Sequence, residues 1–185
     1  MPNGFEQQAL PHLDAAYSLA FWLMRDRADA EDVVQDAYIR ALRGFDGFRG
    51  DDMRPWLLAI VRNVAWRALA ARRRVTNNVI PIESAYTRDG DDAREPMSIP
   101  SDEPSAETRL IEAGDRALLN RALDAVTPLF REVLVLREIE DMSYAEIATV
   151  LGVPQGTVMS RLSRARAELR MRYKDLARES GKHAL

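Results

Sequence analysis

Residues 143–169 read SYAEIATVLGVPQGTVMSRLSRARAEL and decide the fold of the second half of the chain. Ser143 and Glu146 have the three-residue spacing of a capping box, which predicts that a helix begins here. Gly152 then permits a tight turn, because glycine adopts left-handed backbone angles without a steric penalty. A second helical pattern follows directly. The stretch therefore predicts a helix-turn-helix unit.

The second predicted helix of this unit has one apolar and one polar side. Val158, Leu162 and Ala165 repeat at helical spacing and are expected to face the core, as are Tyr144 and Ile147 of the first helix. The second helix of such a unit usually enters the DNA major groove, where polar side chains reach base edges and phosphates. We predict that its outward polar residues bind DNA: Gln155, Thr157, Ser160, Arg161 and Arg164.

The distribution of charge also favours a nucleic-acid partner, although the 185 residues carry a net charge of −3. Five arginines and no acid lie from Arg62 to Arg74, and eight basic residues lie from Arg161 to Lys182. Eight acidic residues occupy positions 83–107, between these two segments. An acidic middle therefore masks two basic segments that are suited to phosphate binding.

Composition argues against several classes of site. With no cysteine, the chain has no disulfide, no thiolate zinc site and no cysteine nucleophile. Its two histidines, His12 and His183, lie near opposite ends, and no catalytic constellation can be assembled by spacing. We therefore expect no catalytic residue, no metal and no cofactor. Without a long apolar run or a signal-peptide pattern, a soluble cytoplasmic protein with no membrane insertion is expected.

The first 74 residues show helical periodicity throughout. Apolar residues repeat at this spacing from Leu10 and Leu13 onwards, and Asp29 with Asp32 is expected to cap a second helix whose apolar side extends to Leu42. A third helix begins after the turn-rich stretch FDGFRGDDM. Three helices around one core are expected.

The chain changes character after this helical segment. Positions 75–105 contain four prolines and few apolar residues, which is typical of a linker. Helical patterns then resume, and Thr127 with Pro128 has the composition of a cap and first turn. The sequence predicts an all-α protein of two small helical domains, residues 1–74 and 108–185, joined by a flexible acidic linker at 75–107.

Three motifs together carry a family resemblance. They are DAEDVVQDAYIRAL at 29–42, FRGDDMRPWLLAIVRNVAWRALAARRR at 48–74 and REIEDMSYAEIATVLGVPQGTVMSRLSRARAELR at 137–170. The chain resembles bacterial RNA polymerase sigma factors of the extracytoplasmic-function type, with the first two motifs matching region 2 and the third matching region 4. Many regulators contain one helix-turn-helix, whereas three motifs in this order are specific. The resemblance implies a protein that directs core polymerase to promoters and initiates transcription.

The resemblance assigns partners to particular residues. It implies that the second helix binds the clamp coiled coil of the largest polymerase subunit through Asp32, Gln35, Asp36, Ile39 and Arg40. The alternative for this face is a solvated helix surface. It also implies that the helix-turn-helix reads the minus-thirty-five element, with Met159 standing where many family members have a basic residue.

The third helix resembles the part of region 2 that captures the minus-ten element. The implied DNA-binding residues are Arg62, Asn63, Trp66, Arg67, Arg72, Arg73 and Arg74. Trp66 has the alternative role of a core or capping aromatic, because its neighbours are apolar. The arginine run has the alternative of a solvated helix terminus favoured by the helix dipole.

Regulation and two rival functions complete the expectations. The resemblance implies an anti-sigma factor as a partner and a role in a stress or envelope response. One rival is a sigma-like decoy that binds an anti-sigma factor, although the retained arginines argue against it. The other is an ordinary helix-turn-helix regulator that binds duplex DNA as a dimer.

Overall fold

The computed structural model describes residues 4–78 and 106–182, and within these ranges every regular element is helical. The all-α prediction is confirmed. The first range contains α1 (Gly4–Ala9), a 3₁₀ turn (Leu10–His12), α2 (Leu13–Met24), α3 (Arg27–Gly44), a 3₁₀ turn (Phe45–Gly47) and α4 (Met53–Asn78). The second contains α5 (Ala106–Ala125), α6 (Pro128–Leu134), a π turn (Val135–Ile139), α7 (Tyr144–Leu151) and α8 (Gln155–Lys182). Positions 79–105 of the predicted linker lie outside the described residues.

The start of α3 differs from the expectation. Its N-cap is Asp26, whose carboxylate accepts a hydrogen bond of 3.1 Å from the backbone N–H of Asp29. The prediction that Asp29 and Asp32 form the cap was therefore wrong. The preceding helix, α2, ends at Met24, and its C-cap Arg25 has a φ of 58° in the left-handed region. This reversal of the chain leaves Asp26 extended, so that Asp26 is the N-cap and α3 begins at Arg27.

The helices α2, α3 and α4 pack around a common core that includes the fully buried Leu19, Leu58 and Val61. The predicted apolar stripe does not start at Leu10 and Leu13, whose side chains are 56% and 43% exposed. Leu10 lies in a separate 3₁₀ turn, Leu10–His12, that contains a proline, so it does not continue the helical phase of α2, and Leu13 is the first residue of α2.

The beginning of α6 follows the prediction in position but not in mechanism. Thr127 is the N-cap residue and Pro128 is the first helical residue, yet no side-chain hydrogen bond from Thr127 caps the helix. Instead, the Thr127 hydroxyl and backbone N–H both donate to the Glu168 carboxylate of α8, each at 3.0 Å. These bonds tie the start of α6 to α8.

The two halves of the chain pack against each other. One buried apolar cluster runs without interruption from α2, α3 and α4 into α5, α6, α7 and α8. Arg131, only 5% exposed, donates to the backbone carbonyls of Leu123 and Val126 in its own half and to that of Trp22 in α2. Arg25 forms an ion pair with Asp124. The residues predicted to bind DNA are therefore presented on a closed arrangement of two domains.

Candidate nucleic-acid interface

The unit formed by α7, its turn and α8 has the predicted helix-turn-helix geometry. The Ser143 backbone N–H donates to the Glu146 carboxylate at 2.7 Å, and the Glu146 N–H donates to the Ser143 hydroxyl at 3.2 Å. The hydrogen bonds from Ser143 lower the pKa of Glu146. Gly152 ends α7 with a φ of 63°, as the turn requires. The capping box and the glycine turn are both confirmed.

The outward side of α8, which we call the reading face, presents the five residues predicted to bind DNA. Its inner side buries Val158, Leu162 and Ala165, each at most 1% exposed. The reading face consists of Gln155, Ser160 and Arg164, which are exposed, and Thr157 and Arg161, which are half-buried. Within the described residues, neither arginine forms a hydrogen bond or an ion pair with another side chain. Their guanidinium donors are therefore available to a ligand.

Two further side chains distinguish this helix. Met159 lies beside the reading face and is 55% exposed, so it adds an apolar surface to it. Arg166 binds Glu138 through two hydrogen bonds of 3.0 and 2.7 Å, and this contact raises the pKa of Arg166. Because Arg166 is bound to a carboxylate of its own domain, it is not available to a ligand in the way that Arg161 and Arg164 are.

The residues expected to contact minus-ten DNA divide into two groups on α4. Asn63, Arg67 and Arg74 are exposed. Arg72 is also exposed and forms an ion pair with Asp29 of α3. The side chain of Arg73 lies outside those that the structure describes.

Arg62 and Trp66 form the second group, and both point at the other domain. The Arg62 guanidinium binds the Glu132 carboxylate through two hydrogen bonds of 2.9 and 3.1 Å. The indole N–H of Trp66 donates to the same carboxylate at 2.7 Å. Trp66 is half-buried, so its ring is neither fully in the core nor open to solvent.

Glu132 is the residue that sequence reasoning missed. Its side chain is completely buried, and it lies on α6 among Val133, Leu134 and other buried residues. A charged residue inside the apolar run LFREVLVL was the available signal. Buried carboxylates require partners, and the partners here come from 66 and 70 positions earlier in the chain.

The residues assigned to polymerase binding share the exposed side of α3. Asp32, Gln35, Ile39 and Arg40 are exposed, and the half-buried Asp36 carboxylate accepts a hydrogen bond of 2.9 Å from Arg40 one helical turn away. We call these five residues the polymerase face. Ile39 is 49% exposed, so the polymerase face includes an apolar side chain among its charged ones.

An apolar surface extends beside the polymerase face. Leu42, expected on the buried side of α3, is 49% exposed. A shallow cavity of about 540 Å³ next to Gln35 is lined by residues that include Leu13, Tyr17 and Val34. A docking partner would therefore meet apolar as well as charged groups here.

The described residues contain neither a metal-binding cluster nor a membrane-spanning helix. Among the residues that the structure describes, no three or more histidine, aspartate or glutamate side chains are grouped so that they could hold a metal ion. Within the same ranges, no helix combines the length and the apolar character that a membrane span needs.

Models of two protein families match the chain. The model described as Sigma-70 region 2 matches residues 10–75, and the model described as Sigma-70, region 4 matches residues 116–169. The first match contains the polymerase face and the DNA-binding residues expected on α4. The second contains the reading face of α8.

Curated relatives agree with these matches. The chain is 33% identical over 180 residues to the RNA polymerase sigma-H factor of Pseudomonas aeruginosa, covering 96% of this chain and 90% of that protein. It is 35% identical over 153 residues to the ECF RNA polymerase sigma-E factor of Escherichia coli K12, covering 81% and 76%. It is 33% identical over 170 residues to the ECF sigma factor SigE of Mycolicibacterium smegmatis, covering 92% of this chain but only 61% of that protein.

Solved structures share the fold. The sigma factor RpoE in complex with the anti-sigma factor NepR from Bartonella quintana matches with a TM-score of 0.65 and 28% identity, covering 92% of this chain and 96% of that one. CnrH in complex with the cytosolic domain of CnrY matches with a TM-score of 0.56 and 27% identity, covering 90% and 85%. With both sigma regions present in order and relatives matched over most of their length, this chain belongs to the extracytoplasmic-function family of RNA polymerase sigma factors.

Proposed function

We propose that this sigma factor divides promoter recognition between its two domains. Residues 1–74 bind core polymerase and the minus-ten element, residues 108–185 bind the minus-thirty-five element, and residues 75–107 connect them. The observation that carries the proposal is the reading face of α8, where Arg161 and Arg164 are free of protein partners within the described residues. Guanidinium groups in this setting suit guanine edges and phosphates.

Two assays test this function: run-off transcription from candidate promoters, and selection of bound templates from a promoter library. Purified chain is added to bacterial core polymerase and a promoter library, and the bound templates are selected and sequenced. We expect enrichment of templates with two conserved elements about two helical turns apart. Specific duplex binding without polymerase, combined with no stimulation of transcription, would instead indicate an ordinary helix-turn-helix regulator.

The contact with core polymerase is proposed to lie on α3. The polymerase face combines charged residues with an exposed Ile39, and the neighbouring Leu42 is equally exposed at 49%. Mixed surfaces of this kind suit a protein partner, in which apolar contacts give affinity and charges fix orientation. The proposed partner is the clamp coiled coil of the largest polymerase subunit.

We also propose control by an anti-sigma factor. RpoE of Bartonella quintana and CnrH were solved with NepR and with the cytosolic domain of CnrY, respectively, and the likeness of this chain to both supports the proposal. A partner of this kind would bind the free chain and compete with polymerase. Affinity purification of the tagged chain from its host, in the presence and absence of envelope stress, tests for such a competitor.

The remaining assignments follow from this function. A sigma factor acts by binding, so we propose no catalytic residue, metal or cofactor for this chain. Its place of action is that of the polymerase, the bacterial cytoplasm.

A further inference from the structure

A buried carboxylate accepts hydrogen bonds from two of the side chains assigned to minus-ten DNA. Glu132 of α6 receives two hydrogen bonds from Arg62 and one from Trp66, at distances from 2.7 to 3.1 Å. The Glu132 side chain is 0% exposed and that of Arg62 is 17% exposed. Three donors from one helix thus converge on one acidic group of the other domain.

The chemistry of this contact resembles that of a nucleic-acid contact. A guanidinium binds a carboxylate through two parallel hydrogen bonds, as it binds a phosphate or the edge of guanine. The Trp66 indole N–H is also used by the carboxylate, and its ring is held at the domain boundary. While Glu132 is in place, neither side chain can bind an unpaired base or a phosphate.

Other contacts hold the domains in the same arrangement without involving residues assigned to DNA. Arg54 of α4 donates to the backbone carbonyl and to the carboxylate of Glu140, at 2.7 and 3.0 Å. Arg25 pairs with Asp124, and the buried apolar cluster crosses the boundary. Closure is therefore a property of the whole interface, with Glu132 at the point where it meets the DNA-binding helix.

We propose that Glu132 is an autoinhibitory latch that occupies Arg62 and Trp66 in the free sigma factor and releases them when the domains separate. The proposal rests on the proposed function, since it requires that these two residues bind minus-ten DNA. It adds that the block is supplied by the chain itself. Polymerase, which separates the two domains to reach two promoter elements, removes it.

Loss of the Glu132 carboxylate should destabilise the closed state, in which the domains are packed together, more than the open state, in which they are separated. In the closed state, a neutral side chain at position 132 leaves the Arg62 guanidinium buried without its counter-charge, which is costly. In the open state, Arg62 and the residue at position 132 are both hydrated, so the substitution changes little. Apparent affinity for DNA scales with the fraction of molecules in the open state. Removal of a charge-assisted contact is expected to raise that fraction by about tenfold.

The test compares Glu132→Gln with the wild-type full-length chain, without polymerase. Small-angle X-ray scattering reports domain separation as the radius of gyration, and fluorescence anisotropy reports binding to a random-sequence single-stranded DNA 12-mer. The matched control is Glu138→Gln, because the Glu138 ion pair with Arg166 lies within one domain. A second variant, Glu140→Gln, loosens the interface without changing Arg62, Trp66 or Glu132.

For Glu132→Gln we expect a larger radius of gyration and about tenfold tighter binding of the 12-mer, with no change for Glu138→Gln. Glu140→Gln should shift both readouts in the same direction by a smaller factor, and it carries the test if Glu132→Gln does not fold by circular dichroism. Unchanged values in the folded variants overturn the latch. Domain separation without tighter DNA binding also overturns it.

Run-off transcription with saturating core polymerase separates this result from the proposed function. If the wild-type chain supports promoter-specific transcription while the latch variants behave as wild type in scattering and anisotropy, the latch is refuted and the sigma function stands. If the wild-type chain supports no transcription, the proposed function itself fails.

Discussion

Leu162 and Met159 provide a matched test of how α8 is anchored and what it presents. Both are long apolar side chains three positions apart on one helix, but Leu162 is 1% exposed and Met159 is 55% exposed. Leu162→Ala removes buried methyl groups and leaves a cavity, which should lower the free energy of unfolding by about 2–5 kcal/mol. The cost for Met159→Ala should stay within about 0.5 kcal/mol, as for other surface changes.

The assays are urea unfolding, which gives the free energy of unfolding, and thermal unfolding, both followed by circular dichroism at the helical band. Because one buried cluster joins both domains, a single cooperative transition is expected, and Leu162→Ala should lower its thermal midpoint by roughly 5–15 °C. A decrease of less than about 1 kcal/mol in the free energy of unfolding for Leu162→Ala, or an equal decrease in both variants, would refute the assignment of inner and outer sides of α8.

Met159→Ala should weaken DNA binding and leave the stability of the fold nearly unchanged. The exposed thioether side chain of Met159 lies beside the reading face and is suited to contact with a thymine methyl group. Holoenzyme made with Met159→Ala should bind minus-thirty-five elements less tightly by about 1 kcal/mol where such a contact exists. Replacement of each thymine by uracil in the probe supplies the control, since the wild-type protein should lose the same affinity at one position and the variant should not.

Three further predictions address the other surfaces. Asp36→Arg should weaken binding to core polymerase in a pull-down assay and leave the fold intact, since Asp36 lies on the exposed side of α3. An unchanged affinity would refute the assignment of the polymerase face to polymerase binding. Arg161→Ala should relax preference at particular minus-thirty-five bases by about 1–3 kcal/mol, whereas Arg164→Ala should weaken all promoters alike and flatten the salt dependence of holoenzyme binding; identical effects would contradict this division. Ser143→Ala removes the capping box and should lower the free energy of unfolding by about 1 kcal/mol, while a silent variant would show that α7 does not depend on its cap.

The features that the sequence predicted correctly depend on neighbouring residues. Ser143 and Glu146 are three positions apart, and Gly152 satisfies a backbone angle at its own position, so short-range rules suffice. The cap of α3 shows the limit of such rules. Asp26, Asp29 and Asp32 are spaced by three, and any of them has a suitable side chain. The choice is made by the left-handed Arg25, whose conformation sequence patterns do not indicate.

The features that the sequence did not predict depend on distant contacts. Leu42 continues the apolar pattern of α3 but points away from the core, because the buried stripe formed by Val33, Val34, Ala37 and Ala41 already fills the space against α2 and α4. Glu132 is a charged residue that is completely buried, and its burial could not be predicted locally because its partner Arg62 lies on α4. A periodic pattern identifies a helix face, whereas the neighbours of that face are decided by tertiary packing.

The proposed latch gives the two proposed DNA-binding surfaces different availability in the free chain. Within the described residues, the arginines of the reading face form no hydrogen bond or ion pair with another side chain, whereas Arg62 and Trp66 of α4 are bound to Glu132. Separation of the domains should therefore change minus-ten binding and leave minus-thirty-five binding almost unaffected. Under this proposal, a binding partner that holds the domains together would block minus-ten binding by Arg62 and Trp66 even if it left the reading face uncovered. The proposal thus makes one interface inside the chain decide whether binding at the minus-thirty-five element is followed by binding at the minus-ten element.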